Sequence, residues 1–171
     1  MTLTLISLLI LALLALSLIY WTIKLGIGPT PTSSKVQATL QEMLPESVSG
    51  DVVELGSGWG QLLKVLVKRY PKNKVIGYER SPIPFYYSKC FFKKASIRKQ
   101  NFFREGFSDT GLLVCYLYPK AMHRVEQEIV PLLPEGSWIV THTFALPGLT
   151  PVRVGRSNDL YRTPVYLYQK A

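Results

Sequence analysis

From Thr2 to Ile23 the chain carries no charged side chain, and beyond it hydrophobic positions recur in short runs that alternate between strand and helix spacing. As a helix, the run TLTLISLLILALLALSLIYWTI would span roughly 33 Å at about 1.5 Å per residue, the thickness of a bilayer's hydrocarbon. A cleaved signal peptide would need a basic start, a shorter apolar core and a small-residue cleavage site. The first basic residue is Lys24, and Tyr20, Trp21 and Lys24 have the composition of an interfacial anchor. An uncleaved single-pass helix over residues 1–25 is therefore expected.

The turn-rich stretch GIGPTPTSS, residues 26–34, follows, and then KVQATLQEML places Val36, Leu40, Met43 and Leu44 at helical spacing, with Ser33 or Ser34 as N-cap. These two pieces make a linker and N-terminal helix over residues 26–45. A catalytic domain is expected over residues 46–171. In it, DVVEL reads as a strand, GQLLKVLVKRY as a helix with Leu62, Leu63, Leu66 and Val67 inward, and KVIGYE as a second strand. IPFYYSKCFFKK follows as an aromatic helix, IRKQNFF as a third strand and GLLVCYL as a fourth, an apolar run of the type buried on both faces. A helix over KAMHRVEQEIVPLL leads to the strand GSWIVTHTF, and TPVRV and PVYLY pair as a terminal antiparallel hairpin. The fold class is α/β: a Rossmann-like, mostly parallel sheet with right-handed crossovers, a C-terminal antiparallel hairpin and one transmembrane helix in front.

Charge changes this picture. All 20 Lys and Arg residues lie C-terminal to the apolar run, so the net charge of +9 belongs to the domain, and the positive-inside tendency places that domain on the cytoplasmic side. The cluster Lys89, Lys93, Lys94, Arg98 and Lys99 fits a solvated face lying against anionic headgroups. No nucleic-acid module pattern accompanies the charge, so a nucleic-acid partner is not expected. Cys90 and Cys115 form no CxxC and have no histidine at ligand spacing, which gives no support to a zinc site or a disulfide framework. Cys115, within LLVCYLY, reads as a small buried hydrophobe.

Candidate chemistry concentrates in ELGSGWG, where the first strand turns into a helix and where open α/β sheets bind ligands. A dinucleotide fingerprint requires GxGxxG, but the glycines here are Gly56, Gly58 and Gly60, and position 61 is Gln. Glu54 also stands just before the loop, where a pyrophosphate would meet like charge. S-adenosylmethionine, with a sulfonium, an ammonium, a carboxylate and an adenosine, suits the arrangement better. The glycines let backbone N–H groups approach its carboxylate and ribose, Glu54 attracts its cationic portion, and Glu79, ending the second strand, accepts from the ribose hydroxyls. A merely tight turn, with Glu79 as a helix N-terminal acid, is the alternative.

ELGSGWG followed by GYERSP resembles the first two cofactor motifs of class I S-adenosylmethionine-dependent methyltransferases. The wider order, an apolar span, then GPTP, ELGSGWG, GYERSP, NFF, CYLYPKAM and THTFALPGLTP, is similar to a small membrane-anchored branch related to the ATP synthase c-subunit lysine N-methyltransferase. The resemblance implies that Glu54, Gly56, Gly58 and Gly60 line the methionine portion and Glu79 the ribose. It further implies that Asn101 and Phe102 flank the adenine, that Tyr116, Leu117, Tyr118 and Pro119 sit by the methyl group, and that Thr30 and Pro31 belong to a covering segment. Trp59 stands where the branch has Asp or Asn, and Asn101 where it has Asp. An amide both donates and accepts, so weaker rather than lost binding is the expected consequence.

Methyl transfer from a sulfonium requires positioning and desolvation more than a dedicated base. For a lysine acceptor, Tyr116 and Tyr118 are the catalytic candidates, since a tyrosine-rich, partly apolar pocket favours the neutral amine and its phenols orient it. Both tyrosines also read as core aromatics of a strand. His123 reads as a surface helix residue, and His142 as a second pocket candidate. The expected activity is methylation of a protein lysine at a membrane, with protein and membrane as partners. The alternatives are a lipid or small lipophilic acceptor, suggested by Phe85, Tyr86, Tyr87, Phe91 and Phe92, a catalytically idle tethered module of the same fold, and an NAD-dependent enzyme if NAD binds better than the methyl donor.

Overall fold

The computed structural model describes residues 2–171; residue 1 of the expected anchor lies outside the described residues. Helix α1 spans Thr2–Leu25 and buries no residue; among the described residues it alone is long and apolar enough to cross a membrane. Helix α2, Ser34–Met43, begins where Ser33 caps it, its hydroxyl accepting from the Val36 N–H at 3.3 Å.

Seven strands follow in the order β3-β2-β1-β4-β5-β7-β6. Strands β1 (Asp51–Leu55), β2 (Val75–Tyr78), β3 (Ser96–Arg98), β4 (Thr110–Cys115) and β5 (Trp138–His142) pair in parallel. Strand β7 (Pro164–Gln169) runs antiparallel between β5 and β6 (Arg153–Arg156), which is the expected hairpin. The chain order reverses between β1 and β4, so the strand ends diverge there and leave a crevice at their C-terminal edge.

Two apolar layers cover the sheet. Val52, Leu112, Val114, Val140 and Val165 pack on one face with Leu40 of α2 and Leu63 and Leu66 of helix α3 (Gln61–Arg69). Val53, Leu55, Leu113, Cys115 and Ile139 pack on the other, with Met122, Ile129 and Tyr168. Neighbouring residues of one strand thus enter opposite layers, as the two-residue period of a strand requires. Cys115 is fully buried in the second layer, and burial pushes its thiol up to about 12.

Three expectations are corrected. In α3 the buried set is Leu62, Leu63, Val65 and Leu66, while Val67 is only half-buried. The third strand stops at Arg98, and Phe102–Arg104 form a 3-10 turn. An extended chain would send Phe102 and Phe103 to opposite sides, whereas the turn holds their rings 4.5 Å apart on the same apolar layer. The helix after β4 is not uniform: α5 covers Pro119–Arg124, a π-turn covers Val125–Ile129, and Val130–Leu132 are 3-10. Pro131 has no N–H to continue an α-helix, and just before it the Val130 N–H reaches back to the Val125 carbonyl.

Candidate active site

A cavity of about 200 Å³ opens at the C-terminal edge of β1, β2 and β4. Its floor is the loop from Gly56 to Trp59. Gly56, Gly58 and Gly60 take φ values of +73°, +50° and +82°, so alternate residues are left-handed and the turn closes within one helical start. The Gly56 and Ser57 N–H groups both donate to the Tyr78 carbonyl, at 2.8 and 2.9 Å, fastening the loop to the end of β2.

Glu79 fixes the same loop from the side. One carboxylate oxygen accepts from the Gly58 N–H at 2.8 Å and the other from the Ser81 N–H at 2.6 Å, at the start of helix α4 (Pro82–Phe91). Each oxygen keeps further lone-pair capacity toward the cavity. Glu54, 4% exposed at the end of β1, also faces the cavity, and its Oε2 has no partner. Burial, and next the charge of Glu79, hold its carboxyl well above the usual range. An acceptor left without a donor at the cavity wall fits a ligand that brings one.

Tyr116, Leu117 and Tyr118 form the wall beyond β4, and Asn101, Phe102 and Phe103 the wall beyond β3. Tyr116 and Tyr118 are half-buried. The Tyr116 ring stacks on His142, with centroids 4.3 Å apart. His142 is outside the wall, behind that ring; its Nε2 lies 3.4 Å from Thr32 Oγ1 and its Nδ1 3.1 Å from Thr143 Oγ1. Burial pushes its imidazole down to about 4, so it is neutral near pH 7. His123 is exposed on α5, as expected.

The sequence pattern places two residues too close to the cavity. Gly60 is the N-cap of α3 beneath the Phe92 ring, and Pro119 is an exposed first residue of α5; neither lines the wall. Thr30 lines it, whereas Pro31 is exposed outside.

More of the wall comes from residues outside the strand-end motifs. The segment from Lys24 to Thr32 crosses the cavity as a strap. Gly26 rests against the Tyr118 ring, and the Trp59 indole N–H donates to the Pro29 carbonyl at 2.6 Å. Arg124 enters from α5 with its guanidinium 3.8 Å from the Phe103 ring and paired to Glu128. The departure of Trp59 from the motif, together with the GPTP stretch read as a covering segment, is the visible signal for the strap contact.

Residues 54–153 match the family model described as the ANTKMT methyltransferase domain. A protein-lysine N-methyltransferase of Saccharolobus islandicus (strain REY15A) is 26% identical over 145 residues, covering 81% of this chain and 90% of the relative. An RNA methyltransferase from Salinibacter ruber, solved with S-adenosyl-L-homocysteine, superposes with a TM-score of 0.67 at 21% identity over 82% of this chain and 93% of that one. A SAM-dependent O-methyltransferase from Thermotoga maritima gives 0.66 at 16% identity, over 83% of this chain and 67% of that one. The orphaned Glu54 acceptor and the left-handed glycines fit S-adenosylmethionine, the cofactor of this fold. The matched stretch carries both acids, the glycine loop and the β4 tyrosines, and by it the chain belongs to the ANTKMT methyltransferase domain family, as an S-adenosylmethionine-dependent methyltransferase.

Proposed function

We propose that the chain transfers a methyl group to a lysine side chain of a protein, working at a membrane in which α1 anchors it. The observation that carries the acceptor class is the protein-lysine N-methyltransferase of S. islandicus, 90% of whose length the chain covers. The apolar α1 and the placement of every Lys and Arg beyond the apolar run carry the membrane and the cytoplasmic side.

S-adenosylmethionine, when bound, would supply a methyl carbon activated by its sulfonium for transfer to a neutral amine. The residues of the chain then have separable tasks. Glu54 would accept from the cationic amino-acid portion, and the Gly56 and Gly58 backbone would give it close approach. Gly60 acts from below, by starting α3 so that the loop turns in time. Glu79 would accept from the ribose hydroxyls, with Asn101 toward the adenine edge and Phe102 beside it. Tyr116 and Tyr118 line the cavity where the amine would enter; exclusion of water there would favour the neutral amine, and their hydroxyls would orient it. The strap from Lys24 to Thr32 excludes water from the reacting atoms.

The test is transfer of labelled methyl from S-adenosylmethionine to membrane fractions by the full chain. Label recovered in protein as methyl-lysine supports the reading. Label that extracts into organic solvent moves the acceptor to lipid, and no label in either overturns the reading.

A further inference from the structure

Helix α4 presents an outward face of unusual composition. Pro84, Phe85 and Ser88 are buried, while Tyr86, Tyr87 and Phe91 are 59%, 44% and 68% exposed. Tyr87 leans on Phe91 at 4.7 Å and meets Trp59 edge-on at 5.3 Å, so these rings form one continuous patch. Around it stand Lys89, Lys93, Lys94 and Lys99, all exposed and none in an ion pair among the described residues. No acidic residue lies between Glu79 and Glu105.

The patch has a fixed relation to α1. Residues 2–16 are exposed all round, but Ser17, Leu18, Trp21, Thr22 and Leu25 are half-covered on one side. Helix α4 contacts α1, and the Arg80 guanidinium stands 5.9 Å from the Trp21 ring. If α1 spans the bilayer, its Tyr20-Trp21-Lys24 end lies at headgroup level, and packing beside that end carries α4 to the same depth. Aromatic rings with a lysine rim are the side chains suited to that layer: rings enter the acyl boundary while ammonium groups meet lipid phosphates.

Resting on the reading of α1 as a span, we propose that the outer face of α4 is a second membrane contact, specific for an anionic bilayer surface. Tyr86, Tyr87 and Phe91 insert at the headgroup boundary and the lysines bind lipid phosphate. The domain is thereby held flat, with the strap and cavity mouth toward the interface, where a membrane-protein acceptor would present its side chain.

Cys90 provides the probe, because it is exposed on α4 while Cys115 is buried. The full chain, carrying a polarity-sensitive dye on Cys90, is placed in nanodiscs of phosphatidylcholine with and without phosphatidylserine, and quenching by brominated lipid is read. Strong quenching in the anionic discs, weakened by high salt, supports the proposal; each lysine replaced in K89E/K93E/K94E should lower the docked-to-free ratio by about fivefold or more. Tyr86→Ser with Phe91→Ser should reduce quenching without that salt dependence. A water-like, unquenched probe in a chain that resists carbonate extraction overturns the surface contact and leaves the span intact. Quenching in a chain that carbonate releases keeps the contact and overturns the span. A probe that responds to single-stranded RNA in detergent but not to either disc overturns the proposal in favour of a nucleic-acid face.

Discussion

The Trp59 indole N–H donates to the Pro29 carbonyl over 2.6 Å, tying the glycine loop to the strap that follows α1. Trp59→Phe keeps the ring beside Tyr87 and removes only this bond, worth about 0.5–1.5 kcal/mol net. Affinity for S-adenosylhomocysteine should fall by roughly two- to tenfold, expressed as faster release in stopped-flow measurements. Unchanged release would show that the strap is held by other contacts.

Glu79 holds both the Gly58 and the Ser81 N–H groups. Glu79→Ala should weaken cofactor binding by more than about tenfold, since bonds to a charged acceptor are worth about 1.5–3 kcal/mol each, and should also lower the melting temperature. Glu79→Gln should recover part of the stability and little of the affinity. Calorimetry that finds wild-type affinity in the alanine variant would remove Glu79 from the cofactor site.

Glu54, buried and without a partner for Oε2, is held well above the usual carboxylate range by burial and by Glu79. A cationic ligand favours its ionised form, so cofactor affinity should rise with pH through that raised range, with proton release on binding. Glu54→Gln should flatten the pH dependence. A wild-type affinity equally independent of pH would show that Glu54 does not meet the cation.

His142 is lowered by burial to about 4, from an ordinary value near 6.5. The unfolded chain therefore takes up the proton first. The His142 contribution to stability is full above about 6.5, declines as pH falls toward about 4, and changes no further below it; its loss is on the order of 3 kcal/mol. Denaturant titrations should show wild type losing stability, relative to His142→Phe, as pH falls between those limits, since the phenyl ring can still stack on Tyr116 but takes up no proton.

Gly60 has φ of +82°, and a Cβ there would lie 2.5 Å from the Phe92 ring. Gly60→Ala should cost about 1–3 kcal/mol, lowering the melting temperature by roughly 3–10 °C. Gly58, at φ +50° with open space around it, should cost only the backbone strain when changed to Ala. Equal losses in the two variants would show that Phe92 yields without cost.

Much of the cofactor half of the site is legible in the chain, because its signals are local. Glu54 closes an apolar strand, the glycines stand at fixed spacing after it, and Glu79 closes the next strand. The β4 tyrosines are legible for the same reason: a strand that ends at a crevice delivers whatever follows it to the ligand. His142 also ends a strand, yet it is turned behind Tyr116, a choice made by stacking and by Thr32, 110 positions away.

The sequence by itself determined the order of elements, the long apolar N-terminal helix and the class of cofactor, since hydrophobic period and turn chemistry act over a few residues. Only the tertiary structure decided that the covering segment runs from Lys24 to Thr32, that Trp59 bonds Pro29, and that Phe102 and Phe103 share one layer. It also decided which side of α4 faces out: aromatic residues at 85, 86, 87, 91 and 92 surround most of the helix, so period alone does not choose among them. Packing against α1 and the sheet buries Phe85 and leaves Tyr86, Tyr87 and Phe91 exposed, because a helix can turn only one face toward its neighbours.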